Sequence, residues 1–557
     1  MKKLLLGLFG QFLFLSVMAQ SSVTGVVTDI GKNPLPGVTI AIEGTTKGTI
    51  TNAQGQFQIS TESGEVLVFS SVGFQTLKIV VDGQTPLNIT MQESLGSLGD
   101  VVVTALGIER QTQDLGYNVQ RLEPKAIGEV KAANFVDNLA GKLAGVTVTQ
   151  GATGVGSTSK ITIRGEASFT NNNPLFVVDG TPVNNNSVVN FTNDAAAGFQ
   201  EVDFGNGAME INADDVASVS VLKGPAASAL YGTRASNGVI IITTKDGRSA
   251  QGMGLSFNSS TFFDRAFQLP RFQNSYGQGN SGQFEFVDGL GGGINDNISY
   301  SWGPRLDAGL LIPQYDSPVT LPDGRVVRGG DVAVHGGSPI TPTPFVSHPD
   351  NLKNFYQTGI TAINNLAVAS GTEKGDVRIS FTDLRSKSII PGVNLDRTTL
   401  SARLNLRPNP KLKISSFITY SNAQSDNRPS SGYGSENVNY ALVAWGPRSL
   451  NIAPMKNYWQ PGLENTQQYS FNYTFFDNPF FTLLENRNSL NRDRLFGNLM
   501  ARYILSDYWS VSLRSGMDYS SEQRQFRRAF SSNRFRNGAY AVHDVLFREH
   551  NTDVLVN

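Results

Sequence analysis

Four histidines, His335, His348, His543 and His550, are the only imidazoles in the chain, and none has the His-x-x-Glu or His-Glu-x-x-His spacing of a zinc site. Cysteine is absent, so thiol nucleophiles, thiolate ligands and disulfides are all excluded. No serine sits in a Gly-x-Ser-x-Gly elbow. Gly31-Lys32 and Gly141-Lys142 are followed by Asn33 and Leu143, where a phosphate-binding loop needs a hydroxyl for its magnesium ion. Gly277-Gln278-Gly279-Asn280-Ser281-Gly282 fits Gly-x-Gly-x-x-Gly, but no apolar strand precedes it and no helical pattern follows, so a flexible loop is expected. The chain is therefore read as no enzyme, with no catalytic residue, cofactor or metal ligand assigned.

Other residues point to contact rather than chemistry. Arg164-Gly165 and Asp179-Gly180 each follow a short apolar run, and the two charged side chains are expected to form a buried structural pairing inside their domain. Asp214-Asp215 adjoins a strand pattern and is expected to cap or solvate it. Tyr433, Tyr440, Trp445, Tyr458 and Trp459 could stack on sugar rings, although packing between loops is the favoured reading. Asp100-Val101-Val102-Val103-Thr104 is β-branched and follows Gly96 and Gly99. That composition suits one more strand or linker, or an extended segment that adds to a partner's sheet edge.

The elements that hold these residues follow from length and composition. A chain of 557 residues implies two to four domains. Charged side chains make up 16%, against about 25% in ordinary domains, and the net charge is -1. A charged disordered chain, a coiled coil and a general nucleic-acid binder are excluded. Met1-Lys2-Lys3, the apolar run Leu4 to Leu15 and the small residues up to Ala19 read as a secretion signal at 1–19, cleaved between Ala19 and Gln20. Removing Lys2 and Lys3 from the 45 basic groups leaves 43 against 46 acidic ones. With no cysteine there is no lipidation site, and no later apolar run reaches the ~18 residues of a spanning helix. Any membrane crossing must be made by strands.

Three zones follow. Residues 22–92 hold seven short strand patterns, Val23–Thr28, Val38–Ile42, Gly48–Thr51, Phe57–Ile59, Val66–Ser70, Leu77–Val81 and Leu87–Met91, spaced as in a β-sandwich. Residues 113–247, after a linker at 93–112, mix strands with helical spacing over Ala133–Leu143. Residues 249–557 carry 39 of the aromatic side chains in 309 positions, against 11 in the 229 positions from 20 to 248. Strict alternation runs through Leu400–Leu406, Leu412–Tyr420, Leu495–Leu505 and Trp509–Tyr519, with tight turns on one side and long segments at 268–350 and 425–490 on the other. A soluble sandwich also alternates, but strands of about ten residues with aromatics near the ends of the apolar face favour a transmembrane barrel.

Two stretches carry a resemblance. "TGVVTDIGKNPLPGVTIAIEGTTKGTITNAQGQFQIS" resembles the carboxypeptidase regulatory-like sandwich, with Thr51-Asn52 where that family usually has Thr-Asp. "LAGKLAGVTVTQ", "SKITIRG", "NPLFVVDGTPV" and "DDVASVSVLKGPAASALYGTRASNGVIIITTKDG" resemble the plug of SusC/RagA-type TonB-dependent outer-membrane transporters, and "NSYGQGN" resembles the start of their barrel. The resemblance implies a mainly β protein of the cell outer membrane: sandwich, α+β plug, then an antiparallel transmembrane barrel in contact with lipid. It makes Asp100–Thr104 a TonB box, and implies as partners TonB and a SusD-like surface lipoprotein. The implied substrate is a glycan or a peptide, with a siderophore or cobalamin as the alternative cargo and a non-transporting glycan-binding adhesin as the alternative of another class. A plugged barrel of this kind has about 22 strands and needs roughly 430 residues after the plug. Against 309 available, the chain is expected to be an N-terminal fragment whose sheet ends on an unpaired edge.

Overall fold

The computed structural model describes residues 21–557 apart from 46, 63, 72, 73, 83, 84, 93–100, 104–108, 112–118, 123–126, 129–131, 152, 170, 187–200, 225–228, 230 and 249–251. The secretion signal, with Ala19 and Gln20, lies outside these residues, as do Asp100 and Thr104.

The chain divides into two units, the first made mainly of residues up to Val101. Here Gln56–Thr61, Ser21–Thr28 and Leu87–Thr90 form one sheet, and Gly48–Ile50, Thr39–Ile42, Val66–Ser70 and Leu77–Val80 the other. All seven strand patterns read from the sequence are present. Alternation drives the packing: in Gln56–Thr61 every second residue is buried, placing Phe57 and Ile59 against Val27, Ile40, Leu67 and Phe69. The rings of Phe57 and Phe69 meet edge to face at 5.5 Å. Asn52 does the turn work expected of an aspartate, because its side-chain oxygen accepts from the amides of Gln54 and Gln56 at 3.0 and 2.9 Å.

In the second unit, a five-stranded mixed sheet runs in the order Val119–Leu122, Val216–Leu222, Val239–Thr244, Leu175–Val178, Thr181–Val183. Its middle is apolar on both faces, so Val239-Ile240-Ile241-Ile242 is a continuous hydrophobic run rather than an alternating one. Ile240 and Ile242 enter one core with Phe176, Val219 and Val221, while Val239 and Ile241 enter a second with Leu175, Val177 and Leu222. The helical reading of Ala133–Leu143 is corrected to a single 3-10 turn, Phe135–Leu139. Asn134 starts it by accepting from the Val136 amide, and Gly141, left-handed at φ 71°, prevents its continuation.

Around this domain stands an eight-stranded antiparallel sheet in which each strand pairs with the next in chain order: Gly252–Asp264, Gly359–Thr372, Gly375–Lys387, Asn394–Asn409, Leu412–Ser425, Arg487–Ile504, Ser510–Phe530 and Asn537–Val556. The first and last strands pair on one side only, so among the described residues the sheet is open. The expected ten-residue spans are corrected to strands of 13 to 21 residues. At about 3.3 Å per residue the longest exceed what a tilted crossing requires and continue beyond the membrane.

This wall is inside out by the standards of a water-soluble sheet. Phe381, Leu400, Ile418, Leu499 and Leu513 are exposed, while their polar neighbours Ser380, Thr399, Thr419 and Ser512 are buried. A surface of that kind suits hydrocarbon rather than water. Among the described residues no helix is long and apolar enough to cross a membrane.

The segments 265–358 and 426–486 leave the same end of the wall, opposite the tight turns at Thr372–Gly375 and Asn409–Leu412. They share a hydrophobic core that includes Phe286, Phe345, Met455, Tyr469 and Phe481's neighbour Phe480. The flexible loop expected at Gly277–Gly282 is therefore corrected: Gln278 is buried, and a Cβ on Gly279 would lie 2.2 Å from the Gln283 carbonyl oxygen.

Candidate functional site

The inner face of the wall meets the five-stranded domain through arginines, of which Arg492 and Arg494 stand two residues apart on one strand so that their side chains share a face. Arg492 and Arg494 both reach Glu210, whose side chain is 0% exposed, at 3.5 and 3.0 Å. Arg494 also donates to Asp518 at 2.8 Å and to the carbonyl oxygens of Asn184 and Gly207 at 2.8 and 3.0 Å. Arg492 pairs with Glu522 at 2.9 Å and donates to Phe204 O at 3.1 Å. Arg524 also pairs with Glu522 and lies over the Phe204 ring, 4.3 Å from its centroid. A buried ion pair is tolerated only when further hydrogen bonds satisfy each partner, and here each charged group has several.

Smaller contacts extend the seam. Arg378 pairs with Asp215 at 2.6 Å, and Ser380 Oγ donates to the same carboxylate oxygen. Asn258 donates to Asp214 at 3.3 Å. The expectation that Asp214-Asp215 would cap or solvate a strand is thus corrected: both are buried and bonded to the wall. Arg397 donates to the carbonyl oxygens of Ala133 and Met209. Apolar contact accompanies the charge, since wall residues Phe417 and Phe496 enter the core of Phe176, Val219 and Ile240.

Arg164 and Asp179 do not pair with each other. Arg164 is exposed at φ 60° and precedes Gly165 at φ 87°. Asp179 at φ 44° and Gly180 at φ 84° form the two-residue turn between Val178 and Thr181, the positive-φ geometry that hairpins of this length require. The Asp179 carboxylate accepts from the Thr244 amide at 3.1 Å and pairs with wall residue Arg403 at 2.9 Å. Its backbone oxygen accepts from Asn498 at 3.0 Å. Asp179 therefore bridges Thr244 of its own domain and Arg403 of the wall.

Of the candidate segment at 100–104, Val101–Val103 forms a short strand that pairs with Glu109–Gln111. The loop aromatics pack on one another: Trp445 lies 6.2 Å from Tyr300 and 5.9 Å from Phe476, and Trp459 meets Phe481 at 5.3 Å. Among the described residues no group of three or more His, Asp or Glu side chains could hold a metal ion. Glu210, Arg492 and Arg494 were not singled out from sequence. For the two arginines the available signal was charge at the inward-facing positions of an alternating strand.

Comparison with known proteins gives this geometry a context. Residues 23–103 match the CarboxypepD_reg-like domain, and residues 111–239 match the TonB-dependent Receptor Plug Domain. The chain is similar to the TonB-dependent receptor SusC of Bacteroides thetaiotaomicron, 35% identical over 47% of this chain and 25% of that protein. A TonB-dependent receptor of Formosa agariphila is 26% identical over 94% of this chain and 45% of its own length. The chain thus spans between a quarter and a half of the length of these relatives. The RagAB peptide importer in its "closed-closed" state shares the fold at a TM-score of 0.52, with 17% identity, over 79% of this chain and 45% of that one. With a plug seated against an outward-apolar strand wall and a regulatory-like sandwich before it in sequence, the chain carries the domain order of the SusC/RagA-type TonB-dependent receptors, which are β-barrel proteins of the outer membrane.

Proposed function

We propose that the protein serves the active import of a large nutrient across the outer membrane, driven by TonB and assisted by a SusD-like surface lipoprotein over the outer loops. The cargo in this reading is an oligosaccharide, with a peptide as the alternative. The observation that carries the reading is the seam itself: a plug held to the wall by salt bridges and hydrogen bonds alongside apolar contacts such as those of Phe417 and Phe496. Such a contact is specific in register yet can be exchanged for water and solute, which suits a domain that must rearrange without unfolding.

Energy would enter at Asp100–Thr104. Val101–Val103 already adopts strand geometry, and pairing with a sheet edge of TonB would compete with its pairing to Glu109–Gln111. A pull on this segment is transmitted along the chain to the plug, where the salt bridges of Glu210, Asp215 and Asp179 resist it.

The test is deletion of residues 100–104 in cells that depend on the protein for growth on its nutrient. Uptake is expected to be lost while the wall still assembles in the outer membrane. Uptake that persists in the deletion strain would overturn the TonB-box assignment.

A further inference from the structure

The charges across the seam are divided unequally. On the wall strands between Gly375 and Phe530, Arg378, Arg397, Arg492 and Arg494 are buried facing the plug. Three more buried arginines, Arg514, Arg524 and Arg528, lie on the Ser510–Phe530 strand. The same strands bury three carboxylates, Asp376, Asp518 and Glu522, while Asp553 and Glu436 pair with Arg514 and Arg528, so seven cations less five anions leave an excess of two positive charges. The plug is the reverse: among its described residues the buried charges are Glu210, Asp214 and Asp215, and no lysine or arginine is buried.

Plug groups that meet these arginines are oxygen acceptors. Some are carboxylates, as for Arg378 and Arg494. Others are carbonyl oxygens, such as those of Phe204, Gly207 and Ala133. A carbonyl satisfies a guanidinium's hydrogen bond without cancelling its charge. Any movement that draws the plug surface back leaves these cations facing the passage in a confined, low-dielectric space, where an unpaired charge is costly. The solute that best compensates them carries anionic oxygens able to take a guanidinium fork.

Resting on the importer reading above, we propose that the cargo is an anionic oligosaccharide, bearing uronate carboxylates or sulfate esters, selected by the arginine-lined inner wall as the plug yields. Neutral sugars offer only hydroxyl acceptors and leave the charge uncompensated, and a cationic cargo is repelled. Arg514 contributes without holding the plug, since its partner is Asp553 on the neighbouring wall strand.

The experiment compares uptake by cells producing the complete protein, using labelled hexasaccharides in matched pairs. These are oligogalacturonate and its methyl ester, oligomannuronate and its methyl ester, and a chondroitin sulfate hexasaccharide and its desulfated, esterified form, with hexa-aspartate as a peptide control. At least one acid form is expected to enter on the order of tenfold faster than its neutral counterpart, equivalent to a single charge-assisted contact. Arg514→Gln is expected to narrow that ratio. Equal entry of acid and neutral forms, or faster entry of the neutral one, overturns the charge preference and leaves the importer reading standing. Faster entry of hexa-aspartate than of any sugar overturns the glycan assignment. Failure of the whole panel to enter overturns the importer reading, and the preference falls with it.

Discussion

Glu210 of the plug and Arg494 of the wall, 284 positions apart in sequence, are joined at 3.0 Å with both side chains removed from solvent. Arg494 is held on its other side by Asp518, and Glu210 is shared with Arg492. Removing the carboxylate leaves Arg494 with Asp518 and Arg492 with Glu522 but takes away the buried anion that the two guanidinium groups share. Glu210→Ala is therefore expected to destabilise the plug–wall unit by about 3–5 kcal/mol, the usual cost of breaking one side of a buried pair. Urea unfolding of the detergent-solubilised protein, compared with Glu210→Gln, measures it. Gln keeps one acceptor oxygen and should lose less, and equal losses for the two variants would show that charge is not what matters there.

Gly25 makes an independent prediction for the N-terminal sandwich. A Cβ at this position would lie 2.3 Å from the Leu87 carbonyl oxygen and 2.7 Å from the Phe57 ring. Gly25 and Leu87 are register partners in a parallel pairing, so the strands cannot part without giving up hydrogen bonds. Gly25→Ala is expected to cost about 1–3 kcal/mol through overpacking. Proteolytic cleavage within residues 21–92 should accelerate, while the eight-stranded wall stays resistant.

The parts of the fold that were legible in the sequence are those governed by period. The sandwich strands and Val216–Leu222 could be read because alternation or an unbroken β-branched run marks them locally. The inverted polarity of Leu400–Leu406 was equally plain. The seam was not legible, because Glu210 sits in a short 3-10 turn with no periodic signature and its partners lie nearly 300 residues away. Arg164 and Asp179 were noticed for their charge, yet their left-handed backbone explains their place next to glycine better. Ala133–Leu143 failed as a helix because spacing alone does not register Gly141, whose left-handed backbone stops it.

The outward face of the wall supplies a third prediction. Leu400 is exposed mid-strand, between outward-facing register partners Phe381 and Tyr420. Leu400→Arg places a charge where the structure presents only apolar surface. Its expected cost is about 2–4 kcal/mol if the position lies near the bilayer midplane, falling toward zero at the interface. Ser401→Asn, on the inward face one residue away, should be far milder. Folding titrations into lipid vesicles compare the two, and equal tolerance would refute the lipid-facing assignment.

Asp477, in the outer segment 426–486, is buried and accepts from Gln468 Nε2 at 2.6 Å, Ser532 Oγ at 2.9 Å and the Asn533 amide at 2.8 Å. Burial pushes its carboxyl from 3.8 up to about 6, and nearby Glu436 pushes the same way, against the three hydrogen bonds. An acid with a raised pKa in the folded state binds a proton there before the unfolded chain does. Its contribution is therefore most favourable below about pH 4, declines as pH rises to about 6, and is constant above that. The decline amounts to about 2–3 kcal/mol at most. Asp477→Asn keeps the oxygen that accepts from Gln468 and Asn533 but cannot ionise. The difference in unfolding free energy between variant and parent should grow in the variant's favour from pH 4 to pH 6. A difference that does not change with pH would show that this carboxyl is ionised throughout.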